Sequence, residues 1–442
     1  MSARRGLLAL AGAGLMLLMP SLAHAVAIER IVSPSGIEAW LVHEPAVPVV
    51  ALNFSFAGGA SQDSDEKAGA ASLTTNMLDE GAGDLDSSAF HERLERRAIE
   101  MSFSVGRDFT YGSLRTLKEN REEAVELLRL ALNLPRFDAE PLERVRGQVL
   151  SGLRRASTDP NSLASRRFWA TAYPGHPYGR ENRGTLESVA RIGADDLRDF
   201  ARRVFARDGL KIGIVGDIDA KAAGEMIDRV FGALPAKGDL RPVPDVTMQG
   251  QGTRSVIDVD VPQAVVIFGA PGLARSDKDF MAGYIANHIL GGGSFSSRLY
   301  SEVREKRGLA YGVSESLVWF KHSAVVIGGT QVRADRTGDA LSIIEQEVTR
   351  MGEAGPSADE LAKAKSYLKG SYILGLDTST KIASQLIQIQ NDNLGIDYMT
   401  RRDGLIDAVT LDDVKRVAKR LFSHGLLVTI AGRPKGVTSV GQ

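Results

Sequence analysis

The sequence of 442 residues predicts an α+β fold made of two similar halves. The chain is longer than one ordinary hydrophobic core requires. Strand and helix patterns follow one another twice along it. In addition, segment 192–216 resembles segment 408–432 when a gap of one residue is allowed. We therefore expect one unit of roughly two hundred residues to occur twice.

Composition is typical of a folded protein and excludes several classes of partner. Hydrophobic residues make up 43% of the chain and charged residues 25%. The formal net charge of −1 gives no reason to expect nucleic acid or an anionic membrane surface as a partner. Beyond the N-terminus, no segment is apolar for long enough to span a membrane. The chain has no cysteine, so no disulfide framework is expected.

Residues 1–25 have the pattern of a secretory signal peptide. Arg4 and Arg5 precede a short apolar run, Pro20 ends that run, and the small-x-small site at 23–25 predicts cleavage after Ala25. Twin arginines also occur in Tat signals, but the usual polar-aromatic context is missing, so we favour Sec export. With no cysteine to carry a lipid anchor, we expect a free periplasmic protein.

The N-terminal half, residues 26–234, begins with strands and continues with helices. A Pro-Ser-Gly turn at 34–36 separates the first two strands, and VVALNFSF at 49–56 is a strong strand pattern. Segment 121–133 is strongly amphipathic, and a proline in the first turn favours a helix at 138–155. The other predicted strands are 28–32, 38–43, 101–105, 111–117 and 210–215, and the other predicted helices are 68–80 and 87–99.

A linker and a second half follow. Residues 235–254 are rich in proline and glycine without an apolar repeat, which predicts a flexible linker. In the C-terminal half, residues 255–442, the strand returns at 265–268 and the loop and helix at 276–290. Any two amphipathic helices that precede strands look alike. Duplication is nevertheless favoured, because four residues of the first half match four of the second at one constant spacing along the chain: Ala139, Leu142, Ala164 and Ser165 correspond to Ala358, Leu361, Ala383 and Ser384. Two such halves can face each other and enclose a cleft.

The most informative stretch is GGGSFSSRLYSEVREKRGLAYGV, residues 291–313. A glycine turn leads into a short charged helix at 298–307, Gly308 breaks it, and a strand begins. Arg304 and Tyr311 therefore lie on the two sides of a helix-to-strand turn. The guanidinium is a permanent donor and the phenol a neutral one. Together they could hold a peptide carbonyl and the negative charge that develops on it during hydrolysis.

The run SRLYSEVREKRGLAYGV resembles the C-terminal signature of the pitrilysin/insulinase zinc peptidases, in the branch of the mitochondrial processing peptidase. The resemblance implies that Tyr311 stabilises the oxyanion and that Arg304 orients the peptide opposite a zinc ion. It also implies antiparallel sheets backed by helices, with peptide bound in the cleft as an added strand. Peptide is expected to pass close to the backbone of the glycine turn: Gly291, Gly292, Gly293 and Ser294.

The zinc half of that family's motif is missing. Active members carry two histidines four residues apart on one helix face, a glutamate beside the second histidine as base, and a distal glutamate. The matching stretch here is AGAASLTTNMLDEGAG, residues 68–83. It places Ser72 and Asn76 at the histidine positions, Thr75 at the glutamate position, and Gly152 at the distal position. The neighbouring Asp79 and Glu80 are expected at a solvent-facing helix end.

The histidines give the same answer without reference to any family. After residue 25 no two of them lie within one helical turn, which argues against a local zinc site: His43, His91, His176, His288, His322 and His424. We therefore expect this chain to bind no metal. His288 is interpreted as a satisfied core histidine.

An arginine–tyrosine pair without metal ligands resembles the non-catalytic subunit of a heterodimeric processing-type peptidase. We expect a homologous partner subunit to hold the zinc, and this chain to supply Arg304 and Tyr311 to the shared peptide substrate. The chain would then be no peptidase alone, but part of one. Two alternatives stay open, namely a non-enzymatic scaffold or peptide-binding protein, and an independent peptidase with an unusual metal site.

Overall fold

The computed structural model describes residues 27–440, so the predicted signal peptide lies outside the described part. The described chain forms two α+β halves, each with one main sheet and helices packed on it. The predicted fold class is confirmed. Among the helices of this region, none combines the length and the apolar character needed to cross a membrane.

The N-terminal half contains eight strands and eight helices within the described residues. The strands are β1 (Glu29–Val32), β2 (Glu38–His43), β3 (Val49–Ala57), β4 (Gly81–Ala82), β5 (Leu85–Asp86), β6 (Glu100–Val105), β7 (Phe109–Leu117) and β8 (Lys211–Gly216). The helices are α1 (Ala70–Thr75), α2 (Ser87–Arg96), α3 (Arg121–Asn133), α4 (Ala139–Ala156), α5 (Pro160–Ala172), α6 (Leu186–Ala190), α7 (Ala194–Val204) and α8 (Ala220–Phe231).

The C-terminal half repeats this organisation. Its strands are β9 (Arg254–Ile257), β10 (Gln263–Pro271), β11 (Ala310–Trp319), β12 (Ala324–Arg333) and β13 (Leu427–Ala431). Its helices are α9 (Phe280–Asn287), α10 (Arg298–Tyr300), α11 (Thr337–Ala354), α12 (Ala358–Leu374), α13 (Ser379–Asn391), α14 (Tyr398–Asp407) and α15 (Leu411–Phe422). Two segments have π-helical bonding: His288–Gly292 and Ser301–Glu305.

Five strands of each sheet share one topology, in agreement with the predicted duplication, and β1 has no counterpart in the second sheet. Strand order is β1-β2-β8-β3-β7-β6 in the first sheet and β9-β13-β10-β12-β11 in the second. In both, the pair β2–β8 or β9–β13 is parallel and the pairs toward the far edge are antiparallel. Even a packing detail repeats. A Cβ on Gly112 would lie 2.1 Å from Cζ of Phe54, and one on Gly328 would lie 2.4 Å from Cζ of Phe268.

The halves exchange one helix each. Helix α5 of the first half packs on β13 and β10 of the second, and α13 of the second half packs on β8 and β3 of the first. The exchanged helices bury apolar side chains completely, for example Phe168 on α5 and Leu386 on α13. Each sheet therefore carries its own helices on one face and the other half's helix on the opposite face. Because that helix covers the inner strands, the edge pairs β6–β7 and β11–β12 are left more open.

The predicted linker is fixed to both halves. It has no helix or strand before Arg254, yet Met248 is buried and Gln249 N–H donates to the carbonyl of Ala172 at 2.8 Å. Earlier along the segment, Arg241 N–H donates to Oε1 of Gln62 at 2.7 Å, and Nε2 of Gln62 donates back to the Arg241 carbonyl at 3.1 Å. Specific bonds of this kind hold the segment in place, which differs from the flexible behaviour that its composition predicts.

Replacing Phe168 with alanine tests whether the exchanged helix holds the two halves together. Phe168 is 0% exposed, and its ring lies against Gly269 of β10. Loss of the buried ring is expected to lower the free energy of unfolding by about 3–5 kcal/mol, measured by urea denaturation. The control is Phe295→Ala, because Phe295 is 73% exposed and its loss should change stability by less than about 1 kcal/mol. Equal effects of the two substitutions would contradict this account of the packing.

Candidate functional site

Arg304 and Tyr311 lie on either side of a sharp turn between the second π-helical segment and β11. Gly308, with φ of 58°, closes the turn, and its N–H donates to the Arg304 carbonyl at 2.9 Å. The next amide, Leu309 N–H, donates to the Val303 carbonyl at 2.9 Å. Val303 and Leu309 are both buried and anchor the turn in the core. Arg304 and Tyr311 are both exposed.

A β-bulge sets the direction of Tyr311. Strand β11 pairs Ala310 with Val332 and then Val313 with Thr330, so β11 has one residue more than β12 at this point. Oγ1 of Thr330 donates to the Gly312 carbonyl at 2.7 Å and holds the bulge. Tyr311 is 86% exposed as a result. Bulges at sheet edges commonly re-aim a side chain in this way.

Arg304 is held by an aromatic ring rather than by a carboxylate. Its guanidinium carbon lies 4.8 Å from the ring centroid of Tyr300. The neighbouring Lys306 and Arg307 both pair with Glu302, at 2.6 and 2.5 Å. Within residues 27–440, by contrast, no carboxylate is paired with Arg304. Stacking orients the cation while its N–H donors stay available to a ligand.

The predicted glycine turn is only partly open. Gly291 and Gly293 are buried, whereas Gly292 and Ser294 are exposed. A Cβ on Gly291 would lie 2.5 Å from Cβ of Glu315, so this glycine permits close packing of the π-helical segment on β11. Packing therefore accounts for Gly291, and contact with substrate stays a prediction for the exposed positions.

Glu315 is a buried carboxylate that the motif reasoning did not identify. It lies on the core face of β11 between Val313 and Leu317 and is 1% exposed. Neither carboxylate oxygen has a hydrogen-bond partner in the described region. Burial raises the pKa of Glu315 to about 8, so the group is neutral at pH 7. The sequence did contain a signal for this buried position, because Glu315 lies two residues from an apolar residue on each side and so shares their face of the strand.

The positions that the family resemblance assigns to zinc ligands carry side chains of other types. Asn76 N–H donates to the Ser72 carbonyl at 3.2 Å, which places these residues one helical turn apart. Thr75 is buried, and its Oγ1 donates to the same carbonyl at 2.9 Å. Around Gly152 on α4, a Cβ would meet only Nη2 of Arg155 at 3.9 Å. Nowhere between residues 27 and 440 do three or more His, Cys, Asp or Glu side chains form a group that could hold a metal ion. The residues present do not fit a zinc ion.

The acidic pair after this helix is not solvent-facing as predicted. Helix α1 ends at Thr75, five residues before the predicted end, and the chain turns back into the protein. Glu80 is buried, accepts a hydrogen bond from Oγ of Ser87 at 2.5 Å, and pairs with Arg144 of α4. Burial also raises the pKa of Asp79. The prediction failed because apolar residues in a buried turn continued the helical pattern.

Comparisons with known proteins match nearly the whole described chain. The family model "Insulinase (Peptidase family M16)" matches residues 39–186, and "Peptidase M16 inactive domain" matches residues 191–368. A Streptomyces coelicolor protein named as an uncharacterized zinc protease is 27% identical over 414 residues, 92% of this chain and 89% of that protein. The Helicobacter pylori "Non-peptidase homolog YmxG" is 28% identical over 333 residues, 75% of this chain and 77% of its own length.

Solved structures agree with these matches. The structure of a peptidase M16 inactive domain from Pseudomonas fluorescens has a TM-score of 0.87 and 27% identity, and covers 94% of this chain and 100% of that chain. A Helicobacter pylori protease has a TM-score of 0.83 at 20% identity, covering 92% of this chain and 100% of that one, and so supports the fold alone.

The buried carboxyl group makes stability depend on pH. Between pH 4.5 and 8 the unfolded chain releases the proton of Glu315 while the native chain keeps it. Stability therefore falls as pH rises through this window and levels off above it. Glu315→Gln should remove this contribution, so its stability relative to the unmodified chain should rise with pH by up to roughly 1.4 kcal/mol per unit.

The matched control for this titration is Glu302→Gln. Hydrogen bonding to Lys306 lowers the pKa of Glu302, so its contribution is present above pH 4.5 and should not change between pH 5.5 and 8. Urea denaturation at several pH values measures both differences. A pH-independent difference for Glu315→Gln would show that this carboxyl group is not buried in the neutral form.

Proposed function

This chain belongs to the M16 peptidase family as an inactive member, and we propose that it is the non-catalytic subunit of a heterodimeric zinc metallopeptidase. In this proposal a homologous partner subunit holds the zinc. The present chain binds the peptide and stabilises the charge that develops on it during hydrolysis. The partner subunit is thus a second M16 protein with an intact two-histidine helix.

One asymmetry carries the proposal. By the family resemblance, Ser72 and Asn76 occupy the positions of the zinc-binding histidines, whereas Arg304 and Tyr311 match the pair that contacts substrate, and both are exposed. A chain that served only as a scaffold has no need for an exposed tyrosine on a β-bulge, or for an exposed arginine that pairs with no carboxylate of the described residues. The retained pair therefore supports a role in handling substrate over a purely structural one.

Both side chains are exposed and carry N–H or O–H donors that can pair with the carbonyl groups of an extended peptide. The zinc of the partner subunit would supply the activated water. Tyr311 would donate from its neutral phenol to the substrate carbonyl oxygen as that oxygen gains negative charge. A donor that is already oriented before reaction needs little reorganisation, which makes it effective in the transition state. Arg304 would orient the peptide backbone through its planar set of N–H donors.

Export to the periplasm is part of the proposal and rests on the pattern of residues 1–25. The N-terminal sequence of the protein recovered from a periplasmic fraction tests it. The account expects the mature chain to begin at Val26. A cytoplasmic protein that retains its first residues would overturn the localisation without affecting the proposed chemistry.

Tyr311→Phe tests the catalytic contribution in the reconstituted complex with the zinc-bearing homologue from the same organism. Removing one oxyanion donor is expected to lower kcat about 100-fold while complex assembly stays unchanged. Peptide-cleavage kinetics and size-exclusion chromatography measure the two quantities.

Tyr367→Phe is the matched control, since Tyr367 is also an exposed tyrosine of the C-terminal half, at 53%. It should leave kcat unchanged. Full turnover in both variants would remove the catalytic role of Tyr311 and favour the scaffold alternative.

A further inference from the structure

A groove of about 490 Å³ runs beside Tyr311 on the sheet face that α5 partly covers. Strands β10, β11 and β12 form its floor, and the first turn of α5 forms its far wall. The two halves meet across it, because Nε2 of Gln331 on β12 donates to Oδ1 of Asn161 on α5 at 3.1 Å. The groove is therefore a product of the helix exchange and is adjacent to the exposed phenol.

No charged side chain lines this groove within the described residues, although a quarter of the chain is charged. Amide and aliphatic side chains dominate the lining: Asn161, Gln263, Gln331, Val265, Ile267 and Ile327. Amides and hydroxyls can pair with peptide N–H and C=O groups, and the aliphatic residues can contact apolar side chains. A charged ligand group would find no counter-charge among these lining residues.

The other half has the corresponding groove, and its lining beside α13 is also uncharged. About 340 Å³ of space lies between α13 and the edge strands β6 and β7, lined in the described chain by uncharged residues only. Asn53 borders it and is mostly buried, and its Oδ1 has no hydrogen-bond partner in that region. The uncharged lining is confined to the part of this surface beside α13, because the adjoining cavity on β6 and β7 includes Glu100 and Arg115.

Two glycines leave space in the groove beside Tyr311, although neither close packing nor backbone conformation requires glycine at these positions. A Cβ on Gly312 would meet nothing within 4 Å, and one on Gly329 would meet only the Val266 carbonyl at 3.4 Å. Neither glycine has a positive φ. Glycine weakens a strand, and its presence there often marks close approach of a ligand. Here both missing side chains leave room on the groove side.

We propose that this groove binds an uncharged stretch of an extended polypeptide, with small polar and aliphatic side chains, alongside Tyr311. This proposal rests on the proposed function, in which peptide passes the phenol of Tyr311. It deepens that function by naming the class of sequence that this subunit binds. Binding in the groove needs no zinc and can be measured on the isolated full-length mature chain.

Fluorescence anisotropy with three labelled peptides tests this specificity. The first has Ser-Val-Thr-Val-Ser at its centre. In each of the other two, one valine of that centre is replaced, by lysine in one peptide and by glutamate in the other. The neutral peptide should bind at least about tenfold more tightly than either charged one, because a charged side chain would lose the aliphatic contact of valine and gain no counter-charge. Equal affinity for the three peptides, or no saturable binding of the neutral one, would overturn the proposal.

Variants of Gly329 locate the binding. Gly329→Val should weaken binding of the neutral peptide at least about tenfold, Gly329→Ala should do so by less, and the control Gly370→Ala on an open face of α12 should have no effect. The midpoint of thermal unfolding of Gly329→Val should be unchanged or higher, since β-branched residues favour strands. Unaltered peptide binding by Gly329→Val would place the peptide elsewhere.

The outcome is separable from that of the catalytic proposal. If the isolated chain binds the neutral peptide more tightly than the charged ones but Tyr311→Phe keeps full turnover in the complex, the groove proposal is supported and the catalytic role of Tyr311 is contradicted. If turnover depends on Tyr311 while the isolated chain binds charged and neutral peptides equally, the catalytic role stands and the groove proposal falls.

Discussion

The reciprocal packing of α5 and α13 is the constraint on which the rest of the structure depends. Each sheet is apolar on both faces, and its own helices cover only one of them. A helix from the other half covers part of the second face. Either half alone would therefore expose a large apolar patch on its sheet. The exchange also fixes which strands stay open, because each helix lies on the inner strands.

The candidate site follows from that arrangement. The open edge pair β11–β12 carries the bulge that turns Tyr311 outward, and the buried Val303 and Leu309 hold the preceding turn. On the other side of β11, the π-helical segment packs closely on Glu315 through Gly291. The strand is thus supported on its core face and free on its groove face. This support fixes the backbone position from which Tyr311 extends.

Much of this fold was predictable because its signals are local. Helix α3 begins and ends at the predicted residues, 121–133, and β3 extends one residue beyond its prediction. No structural finding tests the roles of Arg304 and Tyr311, but the pair was identifiable because both residues lie within one motif. The groove was not, since Asn161 and Gln331 are 170 residues apart and meet only through the exchanged helix. Helix α1 was predicted too long because buried turn residues such as Met77 imitate helical periodicity.

The central claim is a division of labour between two chains, one that holds the peptide and one that holds the metal. Anomalous scattering at the zinc edge from crystals of the complex with a bound peptide tests it most directly. The account predicts one zinc peak per pair of chains, on the partner subunit, with a peptide carbonyl between it and the hydroxyl of Tyr311. A peak near Ser72 and Asn76 of this chain, or a zinc remote from Tyr311, would contradict it.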